Sequence, residues 1–306
     1  MGRIAEVTRN PGSDRKVAII NNLTHTKGPF ARQLFNLRPW QEHDIVRPLF
    51  KTRPDGLRWY RTCLLMLPRK NGKSELAAAA AVDGLMFDDE IGGEVYSCAN
   101  DTDQAAIVFN VAAQMIRNDP ELLAEVDIVA SKLTMTHRKS GTIYRAISAE
   151  AYSKHGFNAS RIIYDELHAA PNRDLFDVLT TSMGARAQPL LIMISTAGYD
   201  RHSILWEQYS HAKKVLENPS LDPTFLPIIY ELPIDADWTD LRALKQCNPA
   251  LGDFRSLEEL EIALERAKQI PAQEMTFRRL YCNQWTERAE TWVPLAAWDA
   301  CCVVAA

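Results

Sequence analysis

Five short, almost continuously apolar runs, at 62–67, 94–98, 142–147, 161–164 and 189–195, are separated by stretches of helical pattern. This alternation constrains the fold more than any other feature. A strand with one face in water alternates apolar and polar residues. Runs of Val, Ile, Leu, Met and Tyr without alternation suit strands covered on both faces, as in a mostly parallel sheet flanked by helices. The helices between are readable as well. Residues 74–87 contain five consecutive alanines, a strong helix former. Residues 101–117 open on Asp101, Thr102 and Asp103 and stop before Asn118-Asp119-Pro120, and 203–216 stop before Asn218-Pro219. The expected fold is therefore α/β.

The chain divides into an N-terminal arm at 1–36, polar and loosely held, a core at 37–219, and a smaller unit at 220–306. That last unit begins with one more strand at 226–232 and continues as helices. Ser256-x-x-Glu259 is a capping box for a helix to about residue 270, and Pro271 starts another to about 281. The length of 306 residues permits one large domain with an appendage. Apolar residues at 46% and charged residues at 24% are those of a soluble globular protein. No run is long enough to span a bilayer, and the first residues lack the apolar core of a secretory signal, so the chain reads as cytosolic with no membrane partner. The six cysteines show no zinc spacing and read as reduced thiols. A net charge of −4 gives no sign of nucleic acid, yet a few local cations can suffice for DNA, so charge excludes nothing here.

Within this pattern, one segment carries specific chemistry. The first apolar run leads through Pro68-Arg69-Lys70-Asn71 into Gly72-Lys73-Ser74 and then the alanine-rich helix. A tight loop between strand and helix turns its backbone N–H groups inward, and the helix adds the positive end of its dipole, so the two cradle phosphates. Gly72 permits close approach, Lys73 reaches β- and γ-phosphates, and the Ser74 hydroxyl is placed for Mg²⁺. The glycine usual five positions before Gly72 is Leu67 here. The fourth run ends in Asp165-Glu166, at the strand end where open α/β sheets bind ligands. Asp165 is placed to hold Mg²⁺, and Glu166 to orient or deprotonate the water that attacks the γ-phosphate. The two motifs together indicate ATP hydrolysis. The fifth run ends in Ser195-Thr196-Ala197, beside the γ-phosphate in such a sheet or simply at a loop start. Upstream, Trp40-Gln41 offers an amide able to pair with adenine, though a glutamine there is also an ordinary surface residue.

Taken together, these residues resemble the large terminase subunit of tailed phages, in its HK97-like branch. The resemblance runs from about residue 37 to 298 and rests on Trp40-Gln41, the loop from Pro68 to Ser74, the segments at 94–99 and 104–105, and Tyr164-Asp-Glu-Leu-His168. It continues with 184–189 leading into Ser195-Thr-Ala-Gly198, then 229–231, Asn248-Pro249 and the segment from Phe277 to Trp285. It implies a RecA-like P-loop NTPase of the ASCE class with a small, mainly helical C-terminal lid and linker, using ATP and Mg²⁺. It implies Gln41 as the adenine contact, and Arg69, Lys70, Asn71, Gly72, Lys73 and Ser74 as the nucleotide loop. Arg69 and Lys73 stabilise phosphate charge, Asp165 and Ser74 serve the metal, and Glu166 activates water. Ser195, Thr196 and Ala197 form the motif that couples hydrolysis to DNA movement. An arginine acting on the neighbouring subunit is also implied, with Arg117 the candidate and Arg138 and Arg145 as alternatives.

The implied function is a motor that hydrolyses ATP to drive double-stranded DNA into a procapsid. It acts as a homo-oligomeric ring with the portal protein and small terminase subunit, in the host cytoplasm and transiently at the portal vertex. Family members continue into an RNase-H-like nuclease domain; this sequence stops soon after its tryptophan-rich segment, so no DNA cleavage is expected of it alone. Two other readings stand beside this one. Asp-Glu-Leu-His also fits a DExH helicase, which requires a second RecA-like domain. A nucleotide-binding assembly adaptor without turnover would need neither Glu166 nor Arg69.

Overall fold

The computed structural model describes residues 12–149 and 156–286. At its centre lie β1 (Thr62–Met66), β2 (Glu94–Ala99), β3 (Val126–Val129), β4 (Thr134–His137), β5 (Ile143–Ser148), β6 (Arg161–Asp165), β7 (Leu190–Ser195) and β8 (Phe225–Ile229). They form one sheet in the order β3-β4-β5-β2-β6-β7-β1-β8. From β5 to β8 every pairing is parallel, and β4 and β3 extend one edge antiparallel. All five apolar runs are strands, and β6 and β7 are buried along their whole length. β3 and β4 lacked a sequence signal because each is only four residues long, with most of edge strand β3 at least part-exposed and β4 alternating buried and part-exposed residues, so neither makes an apolar run.

Helices cover both faces. On one lie α1 (Gly12–Asn22), α2 (Lys73–Met86) and α3 (Thr102–Arg117), followed by the short α4 (Pro120–Glu125). On the other lie α5 (Asp174–Ser182) and α6 (Ile204–Glu217), with Trp285 packed among them. The alanines at 77–81 are all buried, and their small side chains let α2 lie close on the sheet. Asp101 caps α3 by accepting from the Gln104 N–H, and Ser203 caps α6 by accepting from the Trp206 N–H, which orders two orphan helix donors.

The structure corrects the expected arm. Residues 12–22 are a helix, and Val17, Ile19, Ile20 and Leu23 are buried in the main core. Each fully buried isoleucine contributes about 1.5–3 kcal/mol, enough to hold such a segment down. Lys16 is buried too, and its Nζ donates to Asp83 Oδ1 (2.8 Å) and the Phe87 carbonyl (2.9 Å). Residues 1–11 of the arm lie outside the described residues.

The boundary at 219/220 also moves. β8 is hydrogen-bonded to β1 in register from Thr62↔Phe225 to Met66↔Ile229, so it belongs to the core sheet. The separate unit starts after it and comprises α7 (Leu241–Cys247), α8 (Leu257–Gln269) and α9 (Pro271–Tyr281). Leu232, Leu244, Leu260, Leu264 and Phe277 give this unit its own small core. Residues 287–306, with Trp298, Cys301 and Cys302, lie outside the described residues. The four described cysteines, Cys63, Cys98, Cys247 and Cys282, are buried and unbridged.

Candidate nucleotide site

Parallel strands bring their C-terminal ends to one edge, so the loops after β1, β6 and β7 meet there. Asp165 stands opposite Ile194, and Ile194 opposite Leu65, which leaves β6 and β1 flanking β7 at the same height, about 10 Å apart by strand spacing. The loop after β1 is pinned by Leu67 N–H donating to the Ser195 carbonyl (3.2 Å) and Arg69 N–H to the Leu280 carbonyl (2.9 Å). Gly72 takes φ +77°, a left-handed conformation that glycine adopts without strain, and a Cβ there would stand 3.3 Å from the Phe254 ring. Lys73 follows as the first residue of α2, with Ser74 in the same turn.

Lys73 is 8% exposed, and its Nζ donates to the carbonyls of Leu67 (2.9 Å) and Pro68 (3.2 Å). Burial lowers its amine to about 8, against the pull of the facing Glu166 and Asp165 carboxylates. Burial and the adjacent Glu166 charge raise Asp165 to about 6, with Lys73 opposing. Burial also works to raise Glu166, but His168, Lys73 and the nearby Arg69 outweigh it and hold that carboxyl below its ordinary value. Glu166 sits at φ +50°, an uncommon backbone region for a non-glycine residue and frequent at functional sites. Its N–H donates to the Ile194 carbonyl (2.8 Å), so strand pairing fixes where the carboxylate emerges. Two crowded carboxylates facing one buried amine make a donor set suited to a hard divalent cation, whose charge would relieve the pressure on Asp165.

These features decide the family. The sequence model of the terminase large subunit ATPase domain matches residues 39–214. The chain belongs to the terminase large subunit family. It is 34% identical over 278 residues to the terminase large subunit of Enterobacteria phage HK97, spanning 90% of this chain and 53% of that protein, so it covers about half of its relative's length. The HK97 large terminase crystal structure superposes with a TM-score of 0.80 at 31% identity, over 94% of this chain and 58% of that one. The large terminase ATPase domain of Thermus phage P74-26 shares the fold at a TM-score of 0.53 and 21% identity, over 74% of this chain and 88% of that one. A second family model, the terminase large subunit endonuclease domain, matches 221–306, the segment the sequence reading took as lid and linker. Its part up to residue 286 builds β8 and α7–α9. Among the described residues, no group of three or more His, Cys, Asp or Glu side chains is arranged to hold a metal.

In this terminase fold, the remaining predicted residues fall in distinct places. Gln41 is buried, its Oε1 accepts from the Arg38 N–H (2.9 Å), and it lines a cleft of about 260 Å³ with Lys70, Gly72, Phe30 and Phe254. Arg69 is exposed on the loop. Asn71 lies in the loop between β1 and α2. Its side chain is fully buried and turned to the helical unit, donating to Asn248 Oδ1 (3.1 Å) and accepting from Ala250 N–H (3.2 Å), so only its backbone is available to a phosphate. Ser195, Thr196 and Ala197 are all fully buried at the tip of β7. Arg117 ends α3, about 24 Å along the helix from its start beside β2, and does not reach the site of its own chain. Arg138 pairs with Asp127 (2.6 Å) on the β3–β4 edge, and Arg145 lies within β5.

Sequence reasoning missed the side chains that join the helical unit to the site. Asn248 and Asn283 fall in segments that carried the family resemblance, but no local pattern told their roles. Arg38 and Phe254 were missed as well. Arg38 pairs with Asp253 (2.6 Å) and lies over the Phe254 ring, at 5.7 Å, beside the Gln41 cleft.

Proposed function

We propose that this chain is the ATP-hydrolysing motor portion of a DNA-packaging terminase, which moves double-stranded DNA into a procapsid. The observation that carries the reading is that β1, which leads into the Lys73 loop, and β6, which ends in Asp165-Glu166, flank β7 in register at one edge of the sheet. The HK97 likeness supports it.

In this reading the adenine lies in the cleft with Gln41, between Phe254 and Phe30. The backbone N–H groups from Lys70 to Lys73 take the phosphates. Lys73 exchanges its bonds to the Leu67 and Pro68 carbonyls for bonds to phosphate oxygens, and Arg69 swings in from solvent to the γ-phosphate. Ser74 and Asp165 would hold Mg²⁺, which supplies charge neutralisation on the phosphates when bound. Glu166 orients the attacking water and takes its proton. Ser195, Thr196 and Ala197 pass the change to the helical unit. One chain cannot encircle a duplex, so the motor works as a ring, with Arg117 offered to the neighbour's site. DNA contacts go mainly to phosphates and are indifferent to sequence. The portal protein and a small terminase subunit are the partners this role requires, and the assembly works in the host cytoplasm.

Nucleotide binding and phosphate release, with and without DNA, test the reading. Glu166→Gln is expected to bind ATP and lose turnover by about 10²–10⁴-fold, the range for a general base. Lys73→Ala is expected to lose binding. Full turnover in Glu166→Gln would remove Glu166 as the base, and no turnover in the unmodified protein at ring-forming concentrations would favour the adaptor.

A further inference from the structure

We propose that His168 is the positioning residue that orients Glu166 and ties it to Ser195, so that the water-activating carboxylate and the coupling loop share one imidazole. This rests on the reading of Glu166 as the base. His168 Nδ1 is hydrogen-bonded to Ser195 Oγ at 3.0 Å and lies 3.1 Å from Glu166 Oε2, a buried oxygen that has no hydrogen-bond partner in this arrangement. The His168 backbone N–H also points at Ser195 Oγ, at 3.4 Å, so two donors of one residue converge on the same hydroxyl.

An imidazole Nδ1 carries at most one proton, and it serves one acceptor well at a time. When the proton is given to Glu166, the carboxylate is held in one orientation and the Ser195 hydroxyl is left to its backbone contact. When the ring proton has instead passed through solvent to Nε2, the Ser195 hydroxyl donates to the single lone pair of Nδ1, and Glu166 has no donor and is released. A tautomer change of His168, coupled to rotation of one hydroxyl at the tip of β7, therefore changes the hold on the base without moving the main chain.

The setting makes His168 responsive to that loop. Gly198, directly after Ser195-Thr196-Ala197, packs between His168 and Trp285. A Cβ on Gly198 would stand 3.5 Å from His168 Cβ and 3.1 Å from the Trp285 ring. Displacement of the loop is thus transmitted to the imidazole by contact as well as by hydrogen bond. One side of His168 borders a cleft of about 470 Å³ with Tyr199, Asp200 and His202, which leaves the ring room to turn.

Steady-state ATP turnover of His168→Ala, His168→Asn, Glu166→Gln and the His168→Ala/Glu166→Gln double variant tests the proposal. Loss of positioning is expected to lower kcat about 10–100-fold with KM for ATP within about threefold, the scale of a misplaced catalytic group. His168→Asn, whose amide can occupy the Nδ1 position, is expected to restore most of kcat. In the Glu166→Gln background, His168→Ala is expected to have no further effect, because two residues acting through one step are not additive. If Glu166→Gln abolishes turnover while His168→Ala keeps it, the His168 proposal is wrong and the assignment of the base stands. If Glu166→Gln retains turnover, that assignment fails first. Equal losses in His168→Ala and His168→Asn, with lowered melting temperatures, would make the histidine merely structural and overturn the proposal.

Discussion

Asn283 Oδ1 accepts a hydrogen bond from the Ala197 N–H at 2.7 Å, and the same side chain donates through Nδ2 to the Tyr230 carbonyl at 2.8 Å. One buried amide thus fastens the loop after β7 to the segment that leaves β8 and to the end of α9. Asn71 does the same from the other side, by joining the loop after β1 to Asn248 and Ala250. The helical unit is held by side-chain amides to both loops that flank the candidate nucleotide site. A change in either loop therefore loads this unit directly.

The first prediction follows from that amide. Asn283 has no exposure and sits at φ +57°, which asparagine tolerates better than most residues. Asn283→Ala leaves the Ala197 N–H buried without an acceptor, at a cost of about 1–3 kcal/mol. Urea unfolding should show that loss, together with weaker stimulation of ATP turnover by DNA. An unchanged unfolding midpoint would mean that the bond contributes nothing.

Asp165 yields a prediction of opposite sign. Burial and the Glu166 charge raise its carboxyl to about 6. An acid whose folded value lies above its unfolded one costs stability once ionised, and this penalty grows as pH rises from about 4 and is complete above about 6. Asp165→Asn should therefore stabilise the nucleotide-free protein at neutral pH by about 1–3 kcal/mol while abolishing Mg²⁺-dependent turnover. The gain should vanish near pH 4. A destabilised Asp165→Asn protein at neutral pH would contradict the argument.

The sequence disclosed those features that chemistry ties to a strand end. Lys73, Asp165 and Ser195 were singled out because phosphate and metal chemistry would demand particular residue types after apolar runs, and those runs are continuous wherever both faces of the sheet are covered. The terminus of β7 stood out for the same reason. α1 escaped because its burial depends on a distant partner: Lys16 can be inside only because Asp83 of α2 meets it, and nothing near Lys16 says so. The turn signal at Asn218-Pro219 does end α6, but the chain then returns to the sheet as β8, and a helix stop carries no information about that return. The Asn71–Asn248 and Asn283–Ala197 bonds are long-range polar contacts, which leave no periodicity to read.

The buried charges below the site give a third prediction. Arg161, at the start of β6, has no exposure; it donates to Asp83 (2.8 Å) and the Ala80 carbonyl (2.6 Å), and its Nη2 lies 2.9 Å from Asp88. Gly84 leaves space for it, since a Cβ there would meet Arg161 Cδ at 3.0 Å. Arg161→Met removes one cation from a buried cluster, leaving Asp83 to Lys16 and Asp88 to Arg58 and Lys16, and should cost about 3–5 kcal/mol. Burial works to raise Asp88, but Arg161, Arg58 and Lys16 hold it well below the usual carboxylate range. Its folded value is depressed, so the stability it brings is present above about pH 4 and lost as pH falls further. Acid unfolding of the unmodified protein should show this loss, and Arg161→Met should flatten it. Equal acid sensitivity in both proteins would rule out the pairing as its source.

Lys73 ties nucleotide affinity to pH. Burial lowers its amine to about 8, so the nucleotide-free protein loses this charge across mildly alkaline pH. Phosphate oxygens favour the ammonium form, and binding above that value must therefore take up a proton. ATP has already shed its last phosphate proton in that range, which leaves Lys73 as the group that changes. Affinity should be nearly flat below about pH 7.5 and fall by about tenfold per pH unit above about 8.5, the limiting slope for one linked proton. Calorimetry in buffers of different ionisation enthalpy should record uptake approaching one proton near pH 9 and almost none near pH 6.5. Lys73→Arg keeps its charge throughout this range, so its weaker binding should lose the alkaline fall. Affinity that stays flat to about pH 9.5 in the unmodified protein would show that the amine holds its proton, and that the burial seen around Lys73 is offset by the carboxylates it faces.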